Sequence, residues 1–298
     1  MAADADVAAQ AVDALASFLA RAGTVLALTG AGVSTDSGIP DYRDALGEWK
    51  RPEPVRIAEF LATEGARRRY WARSLVGWPI FRRARPGGAH RALAHLEALG
   101  RVGHLVTQNV DRLHQAAGHR DVTDLHGVLD TVVCLGCGSS RGRDWMQRAL
   151  LAANPGWGDV AATPAPDGDA DLGAVDLDRF RVPQCVGCGG VLKPDVVFFG
   201  ENVPRERVAR VHAALERAGG LLVVGSSLMV WSGYRFVRAA KAAGKPVAVL
   251  SLGRTRADTE VDLKLEASCA PVLERVATMA GPAPLSGQRA HPVRPPIG

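Results

Sequence analysis

Four of the five cysteines form two Cys-x-x-Cys pairs, Cys134 with Cys137 and Cys185 with Cys188. Each pair places two thiolates on one tight turn, and two such turns supply the four sulfur ligands that a tetrahedral zinc ion prefers. Because four protein ligands fill the coordination shell, we expect one structural zinc ion and not a catalytic one. A set of redox-active dithiols is the alternative interpretation.

The remaining cysteine, Cys269, leaves an odd number of cysteines in the chain. An odd number without an export signal favours a reducing compartment, so we expect a cytoplasmic protein. The first ten residues are acidic and alanine-rich and lack the basic segment of a secretory signal. No apolar run reaches the roughly 18 residues of a membrane span, so no membrane partner is expected.

Predicted strands and helices alternate along most of the chain. Four apolar runs predict buried strands, at residues 24–30, 102–107, 221–227 and 246–252. Three stretches carry apolar residues at helical spacing, at residues 7–22, 89–99 and 233–243. This alternation predicts an α/β fold with a doubly wound, Rossmann-like parallel sheet. The 298 residues, 47% of them hydrophobic, are enough for this domain and a smaller module.

Two stretches interrupt the alternation and are expected to form that module. Residues 46–88 are rich in arginine and tryptophan, and residues 131–191 contain both cysteine pairs. We therefore expect a discontinuous Rossmann-like domain from residues 1–45, 89–130 and 192–280, with residues 46–88 and 131–191 as a small helical and zinc-ribbon module. The proline-rich residues 281–298 are expected to form a disordered tail.

The net charge of +5 is unevenly distributed. Residues 67–85 contain seven arginines, whereas residues 152–178 contain six aspartates and no lysine or arginine. Two solvated surfaces account for this pattern. A zinc ribbon that binds nucleic acid is an alternative that the basic stretch allows, but the acidic stretch beside the cysteines opposes it. We therefore expect no specific nucleic-acid partner.

A glycine-rich segment, Gly30-Ala31-Gly32-Val33-Ser34-Thr35, follows the first predicted strand. Its glycines would let the backbone approach a pyrophosphate, and the N-terminus of a following helix would face the anion. Thr35 stands where a dinucleotide-binding G-x-G-x-x-G pattern has its third small residue, so a tight turn without a ligand is the alternative. The polar residues 36–44 that follow are predicted to form a mobile loop over a site.

Polar side chains follow two further strands. Gln108, Asn109 and Asp111 follow the strand at 102–107, and ligands of open α/β sheets bind beyond the carboxyl ends of strands. A turn that caps a helix is the alternative for these residues. His126 follows a short apolar run, and a histidine near its ordinary pKa suits a general base at neutral pH. A purely structural histidine is the alternative.

Together these segments resemble the sirtuins, a family of NAD-dependent protein deacylases. The resemblance covers roughly residues 10–280 and includes the four paired cysteines. It rests on six motifs: GAGVSTDSGIPDYRD (30–44), TQNVDRLH (107–114), LHG (125–127), LKPDVVFFGE (192–201), GSSLMVWSG (225–233) and TRAD (255–258). Four further segments are most similar to the class II branch, which includes a mitochondrial lipoamidase and ADP-ribosyltransferase: residues 68–79, 165–169, 182–192 and 263–269.

The resemblance implies a role for each matching residue. Residues implied to contact NAD are Gly30, Ala31, Gly32, Ser34, Ile39, Asp41, Tyr42, Arg43, Gln108, Asn109, Asp111, Gly225, Ser226, Ser227, Ser251 and Cys269. His126 would be the general base, with Asn109 as a second catalytic residue. The substrate backbone would add as a strand against Val197, Phe198, Phe199, Gly200 and Glu201.

The reaction implied by the resemblance is transfer of an acyl group from protein lysine to NAD. It releases nicotinamide, O-acyl-ADP-ribose and free lysine, and it needs no catalytic metal. Acyl-lysine proteins are the expected partners, and no oligomeric state is predicted. Mono-ADP-ribosyl transfer is an alternative for the same residues. A nicotinamide-dependent dehydrogenase is a further alternative, which Thr35 and the polar cluster at 107–111 fit poorly.

Tyr70 and Arg73 suggest an acyl preference. They are spaced i, i+3, so both can lie on one face of a helix. The pair resembles the device by which another sirtuin class binds acidic acyl chains, with arginine pairing to the carboxylate. Selectivity for dicarboxylic chains is therefore one hypothesis, and selectivity for lipoyl chains is a further alternative. An arginine on a solvated helix is the alternative.

The chain departs from the family pattern near the expected adenosine. The family usually has Asn at position 251 and Pro at position 254, where this chain has Ser251 and Arg254. The family also commonly has Phe at the position of Tyr42. Ser251 would reach less far toward the adenosine ribose than Asn.

Overall fold

The computed structural model describes residues 2–50, 54–160, 163–164, 170–172 and 175–282. Its strands are β1 (Val25–Thr29), β2 (Val102–Thr107), β3 (Val122–Asp124), β4 (Gly127–Cys134), β5 (Ser140–Gly142), β6 (Thr163–Pro164), β7 (Ala170–Asp171), β8 (Leu192–Val196), β9 (Gly220–Val224), β10 (Val247–Leu250) and β11 (Leu263–Leu265). Its helices are α1 (Ala2–Ala22), α2 (Ile57–Ala62), α3 (Glu64–Arg83), α4 (Gly88–Ala98), α5 (Leu113–Ala116), α6 (Arg143–Ala153), α7 (Arg205–Arg217), α8 (Trp231–Ala242) and α9 (Cys269–Met279).

The larger sheet has six strands in the order β11-β10-β9-β1-β2-β3, and every neighbouring pair is parallel. From β1 the chain first builds toward β2 and β3, and it later returns to add β9, β10 and β11 on the other side. The order of the strands therefore reverses at β1, which is where doubly wound sheets form a ligand-binding crevice. The prediction of a doubly wound parallel sheet is confirmed.

Helices cover both faces of this sheet, and β1 shows how its sequence allows this. Val25 and Ala27 pack with α1, α4 and α9, whereas Leu26 and Leu28 pack with α7 and α8. All four side chains are fully buried. An uninterrupted apolar run is typical of a parallel strand that is buried on both faces, which explains why the run at 24–30 is not alternating.

The smaller sheet is antiparallel, with the order β5-β4-β8, and it packs against α3 and α6. The indole Nε1 of Trp71 on α3 donates to the Leu192 carbonyl at 3.1 Å. The fully buried Arg143 guanidinium lies between the rings of Trp71 and Trp78, and it donates to the Ser74 carbonyl at 2.9 Å. Within the arginine- and tryptophan-rich segment, α3 is thus the helix that closes the core of the smaller sheet.

Most predicted elements of the larger sheet are confirmed to within a few residues. The glycine-rich segment continues into two short 3-10 turns, Ala31–Val33 and Thr35–Ser37, so it does not place the N-terminus of an α-helix toward an anion. Gly38 ends the second turn in the left-handed region at φ 82°, so no α-helix continues. The segment 165–169 and residues 283–298 of the predicted tail lie outside the described residues.

In the part of the chain that the structure describes, none of the helices combines the length and the apolar character that crossing a bilayer requires.

Candidate active site

A cleft with a volume of about 260 Å³ lies at the carboxyl edge of the larger sheet. The segments that follow β1, β2, β3, β9 and β10 form its walls, together with Tyr70 of α3 and the start of α9. The predicted site residues that line it are Gly30, Ala31, Gly32, Ser34, Ile39, Asp41, Tyr42, Arg43, Tyr70, Gln108, Asn109, Asp111, His126, Val197, Phe198, Phe199, Gly225, Ser226, Ser227, Ser251 and Cys269. Arg73, Gly200 and Glu201 are outside this lining.

Two glycine turns meet at the floor of the cleft. The Gly32 N–H donates to the Gly225 carbonyl at 2.8 Å, and Gly225 has a φ of 60°. A Cβ atom on Gly32 would lie 2.9 Å from the Gly225 Cα, so a side chain at either position would push the turns apart. In doubly wound sheets a pyrophosphate binds where the strand order reverses, and glycines there allow the backbone to approach it closely because they carry no side chain. The cleft therefore fits a dinucleotide such as NAD.

A chain of hydrogen bonds orders the polar residues after β2. Asn109 Nδ2 donates to Ser34 Oγ at 3.0 Å, and the Ser34 hydroxyl donates to Asp111 Oδ2 at 2.7 Å. Asn109 also donates to the Gly30 carbonyl at 3.1 Å, which ties β2 to the glycine turn. Burial raises the pKa of the Asp111 carboxyl above its usual range. Ser34 lines the cleft but is almost fully buried, and its hydroxyl joins Asn109 to Asp111.

His126 is held by hydrogen bonds at both ring nitrogens. Nδ1 lies 2.9 Å from the Gln108 carbonyl, which can only accept, so Nδ1 carries the proton of the neutral ring. Nε2 is then left with a lone pair, and it accepts from the Ser232 hydroxyl at 2.7 Å. Burial is the main cause that lowers the pKa of His126 to about 4. The ring is therefore a neutral base at physiological pH.

Sequence reasoning missed Ser232, the second residue of α8. It is buried, and its contact with His126 joins positions 106 residues apart. The only local signal is a polar side chain just after the glycine turn at 225–227. The neighbouring Gly233 is needed for close approach, because a Cβ there would lie 2.6 Å from Gln108 Nε2.

The segment that follows β8 forms the opposite wall of the cleft. The Val197 N–H donates to the His126 carbonyl at 2.8 Å, and the Phe199 carbonyl accepts from the Ile57 N–H at 2.9 Å. Phe198 is buried against the ring of Tyr70, 5.1 Å away. Glu201 supports this wall from outside the lining, because its carboxylate accepts from the Phe198 N–H at 2.8 Å.

The structure separates the predicted pair Tyr70 and Arg73. Tyr70 lines the cleft, whereas Arg73 Nε donates to the Ala170 carbonyl at 3.0 Å and stays outside the lining. The spacing i, i+3 placed both on α3 as expected. Tyr70 packs among the rings of Phe60, Trp71 and Phe198, which fixes it at the wall.

A loop beside the cleft holds the predicted residues Asp41 and Arg43. The Arg43 guanidinium lies 3.9 Å from the centre of the Trp49 ring, and its Nη1 donates to the Gly47 carbonyl at 2.8 Å. Asp41 forms an ion pair with Lys50 at 2.5 Å. These contacts order the side chains along the rim of the cleft without closing it.

The four paired cysteines meet at the far end of the smaller sheet. Their Sγ atoms all lie within 4.8 Å of one another, with 3.5 Å between Cys134 and Cys188 and 3.8 Å between Cys137 and Cys185. A tetrahedral zinc ion with Zn–S bonds of about 2.3 Å needs sulfur atoms about 3.8 Å apart. The cluster therefore fits a structural zinc ion.

One antiparallel ladder connects this cluster to the cleft. β4 begins at Gly127, next to His126, and ends at Cys134, while β8 begins at Leu192 and ends next to Val197. In this ladder Gly127 pairs with Val196, and Cys134 pairs with Leu192. A metal ion bound to the cysteines would thus fix one end of the strands whose other end carries His126.

An open parallel sheet with a glycine-floored cleft and a four-cysteine cluster defines the class of nucleotide-binding α/β proteins with an attached zinc module. The family model described as "Sir2 family" matches residues 30–232. This chain therefore belongs to the Sir2 family, the sirtuins.

Relatives and solved structures match over most of the chain. A protein from Xanthomonas campestris pv. campestris, named NAD-dependent protein deacetylase, is 57% identical over 94% of this chain and 96% of its own length. NAD-dependent protein deacetylase 2 of Bradyrhizobium diazoefficiens is 58% identical over 87% of this chain and 95% of its own length. A structure described as Sir2 with a p53 peptide and NAD⁺ superposes with a TM-score of 0.72 at 27% identity, covering 88% and 95% of the two chains.

Removal of one cysteine ligand should release the zinc ion. We expect one zinc per chain in the purified protein, its loss in Cys188→Ala, and a melting temperature lowered by at least about 5 °C. Elemental analysis and thermal unfolding measure both quantities. Cys269→Ala, which removes the cysteine outside the cluster, should keep the zinc. Full zinc content in Cys188→Ala would contradict the four-ligand site.

The protonation state of His126 can be measured directly. Because burial lowers its pKa to about 4, the ring should stay neutral with the proton on Nδ1 from pH 8 down to about pH 5. Long-range ¹H–¹⁵N spectra, assigned by comparison with His126→Gln, report the tautomer and the midpoint. A midpoint near 6.5, or a proton on Nε2, would contradict the hydrogen-bond assignment.

Proposed function

We propose that this protein is an NAD-dependent protein-lysine deacetylase that consumes acetyl-lysine, NAD and one water and yields nicotinamide, O-acetyl-ADP-ribose and free lysine. The observation that carries the proposal is the position of His126. Its ring is a neutral base that lines the cleft whose floor is formed by the two glycine turns. The names of the relatives from Xanthomonas and Bradyrhizobium support it, because the identity of 57–58% extends over nearly the whole chain.

When bound, NAD supplies the ribose carbon that receives the acyl oxygen. The chain holds it at two points: the backbone of the paired glycine turns faces the pyrophosphate, and Asn109 and Asp111 face the nicotinamide half. Holding two reactants in the reactive geometry lowers the activation barrier, because the entropy of bringing them together is lost on binding and not during the reaction. The apolar wall of Phe198 and Tyr70 excludes water beside the acyl-lysine.

His126 moves the proton in this scheme. Its Nε2 accepts a proton from a ribose hydroxyl, and the Gln108 carbonyl stabilises the charged ring through Nδ1–H. Ser232 is a positioning residue, because its hydroxyl donates to Nε2 and fixes the ring; this hydrogen bond would have to give way before Nε2 could accept the ribose proton. The acyl-lysine peptide adds as a strand along residues 197–199, a segment that is held in place by hydrogen bonds from the Val197 N–H to the His126 carbonyl and from the Ile57 N–H to the Phe199 carbonyl.

Further assignments belong to the same proposal. The class II branch rests on the sequence resemblance of four segments, of which residues 68–79 form part of α3. The proposed domains keep their sequence-derived bounds, with residues 46–88 and 131–191 as the smaller module. Acyl-lysine proteins are the partners, with no specific nucleic acid and no membrane, and the cytoplasm is the proposed location.

The experiment is an assay with NAD and a peptide panel carrying acetyl, succinyl, glutaryl, methylglutaryl and lipoyl lysine. Mass spectrometry follows peptide, nicotinamide and O-acyl-ADP-ribose. We expect acetyl loss matched one to one by O-acetyl-ADP-ribose, and a kcat lower by roughly 10²–10⁴ in His126→Ala. Labelled protein and no acyl loss would replace the proposal with mono-ADP-ribosyl transfer.

Variants of Ser232 distinguish an effect on the orientation of His126, seen in kcat, from an effect on NAD binding, seen in KM. Ser232→Ala should lower kcat by roughly tenfold, because one oriented hydrogen bond to the base is lost, and should leave KM for NAD within about twofold. Ser232→Thr keeps the hydroxyl and should retain most of the activity. An unchanged kcat in Ser232→Ala would contradict the positioning role of this serine.

Acyl preference should follow the observed separation of Tyr70 and Arg73. Because Arg73 donates to the Ala170 carbonyl outside the lining, we expect acetyl-lysine to be a better substrate than glutaryl-lysine. Arg73→Met should change kcat/KM for both peptides by the same factor. A faster glutaryl reaction that only Arg73→Met abolishes would place this arginine in the acyl pocket.

A further inference from the structure

A buried histidine, His90, lies directly behind the polar residues that follow β2. It stands in the first turn of α4, and its side chain is fully buried. Nδ1 accepts a hydrogen bond from the Gly87 N–H at 3.1 Å and so caps the start of the helix. Because a backbone N–H can only donate, the proton of the neutral ring lies on Nε2. Burial is the main cause that lowers the pKa of His90 to about 4, so the ring is neutral at physiological pH.

The Nε2–H of His90 donates to the Ser34 hydroxyl. The two atoms lie 3.4 Å apart, and Asn109 Nδ2 donates to the same oxygen at 3.0 Å. A hydroxyl group has two lone pairs and one proton. Both lone pairs are thus occupied, and the Ser34 proton is left to donate to Asp111 Oδ2 at 2.7 Å. The tautomer of His90 therefore fixes the direction in which the Ser34 hydroxyl points.

The buried carboxylate of Asp111 depends on this donor. Its other oxygen, Oδ1, accepts from the Leu113 N–H at 2.9 Å. Burial raises the pKa of this carboxyl most, the nearby charge of Asp124 raises it further, and the hydrogen bonds from the Leu113 N–H and the Ser34 hydroxyl lower it. A hydroxyl that was free to turn away would remove one of these two donors and favour the protonated, neutral carboxyl.

The surroundings of His90 favour the neutral ring that these hydrogen bonds require. The His114 ring lies 4.8 Å from the His90 ring, and the His119 ring lies 5.1 Å from that of His114. The positive charges of His119 and Arg91 act with burial to disfavour a charged His90. The nearby carboxylate of Glu97 lies 3.4 Å from His119 Nδ1.

We propose that His90 is a positioning residue for the nicotinamide end of the cleft and that it acts through Ser34. The inference rests on the proposed function, in which Asp111 faces the nicotinamide half of NAD. The Nε2–H of His90 holds the Ser34 hydroxyl toward Asp111. Asp111 then presents a carboxylate, which has lone pairs left for the N–H donors of the nicotinamide carboxamide.

Two substitutions separate the roles of the two ring nitrogens. Asn places an oxygen near the position of Nδ1, so His90→Asn keeps the helix cap and removes the donor to Ser34. Gln places an N–H near the position of Nε2, so His90→Gln keeps that donor and removes the cap. Calorimetry on the full chain measures the binding of a non-hydrolysable NAD analogue, with an acetyl-lysine peptide present, and of ADP-ribose, which lacks nicotinamide.

We expect His90→Asn to weaken binding of the NAD analogue by roughly fivefold and of ADP-ribose by less than about twofold. His90→Gln should keep both affinities within about twofold of the wild type and should lower the Tm more than His90→Asn does. A histidine that served only the fold would give a different result, because loss of affinity would follow loss of Tm and would affect both ligands.

A double-mutant cycle tests the route through Ser34. Ser34→Ala alone should give the same selective loss of the NAD analogue, and adding His90→Asn to it should cost less than about a further twofold. In His90→Asn the affinity for the analogue should also be lost at a higher pH than in the wild type. The reason is that the less stabilised carboxylate of Asp111 takes up a proton earlier as the pH falls.

Three results would overturn the inference: equal losses for both ligands in His90→Asn, a larger loss of the NAD analogue in His90→Gln than in His90→Asn, or full additivity with Ser34→Ala. Its failure is distinct from failure of the proposed function. Deacetylation by the wild type, with unchanged binding of the analogue in His90→Asn, would overturn this inference alone. A selective loss of the analogue in His90→Asn, in a protein whose wild type removes no acetyl group, would support the inference and overturn the deacetylase proposal.

Discussion

The covering of the parallel sheet on both faces is the constraint on which the rest of the structure depends. With α1, α4 and α9 on one face and α7 and α8 on the other, the side chains of the central strands β1, β9 and β10 are buried from water. Polar groups that serve chemistry must therefore stand where the strands end. Because the strands are parallel, their carboxyl ends share one edge, and segments as distant in sequence as Gly30, Gln108 and Ser251 meet in one cleft.

The smaller sheet makes a separate contribution to the cleft, because its strands β4 and β8 adjoin the general base His126 and the wall that begins at Val197. The β4–β8 ladder has the four-cysteine cluster at one end and both His126 and Val197 at the other. A structural zinc ion thus acts on catalysis only through the backbone that it fixes. The buried stack of Trp71, Arg143 and Trp78 holds the long α3 against the same ladder, so Tyr70 reaches the cleft from a rigid helix.

The sequence was sufficient wherever local patterning carries the structural information. The apolar run at 24–30 predicts β1 because burial on both faces leaves no alternation, and the Cys-x-x-Cys spacing predicts the cluster because zinc chemistry demands it. The glycine turn is recognisable from its sequence, but the two short 3-10 turns that replace a following helix are not, because they depend on where Gly38 ends the second of them. Ser232 could not be found, because its hydrogen bond to His126 depends on tertiary packing alone. The contact of Arg73 with the Ala170 carbonyl could not be predicted either, because the i, i+3 spacing indicates only which face of α3 the residue lies on.

The most direct measurement is a crystal structure of the full chain with a non-hydrolysable NAD analogue and an acetyl-lysine peptide. We expect the pyrophosphate to lie at the paired turns of Gly32 and Gly225. We expect the ribose on the nicotinamide side to lie within hydrogen-bond distance of His126 Nε2. We also expect the adenosine to lie beyond β10, with the peptide backbone paired along residues 197–199. A nucleotide bound in the reverse direction, or a ribose out of reach of His126, would contradict the account.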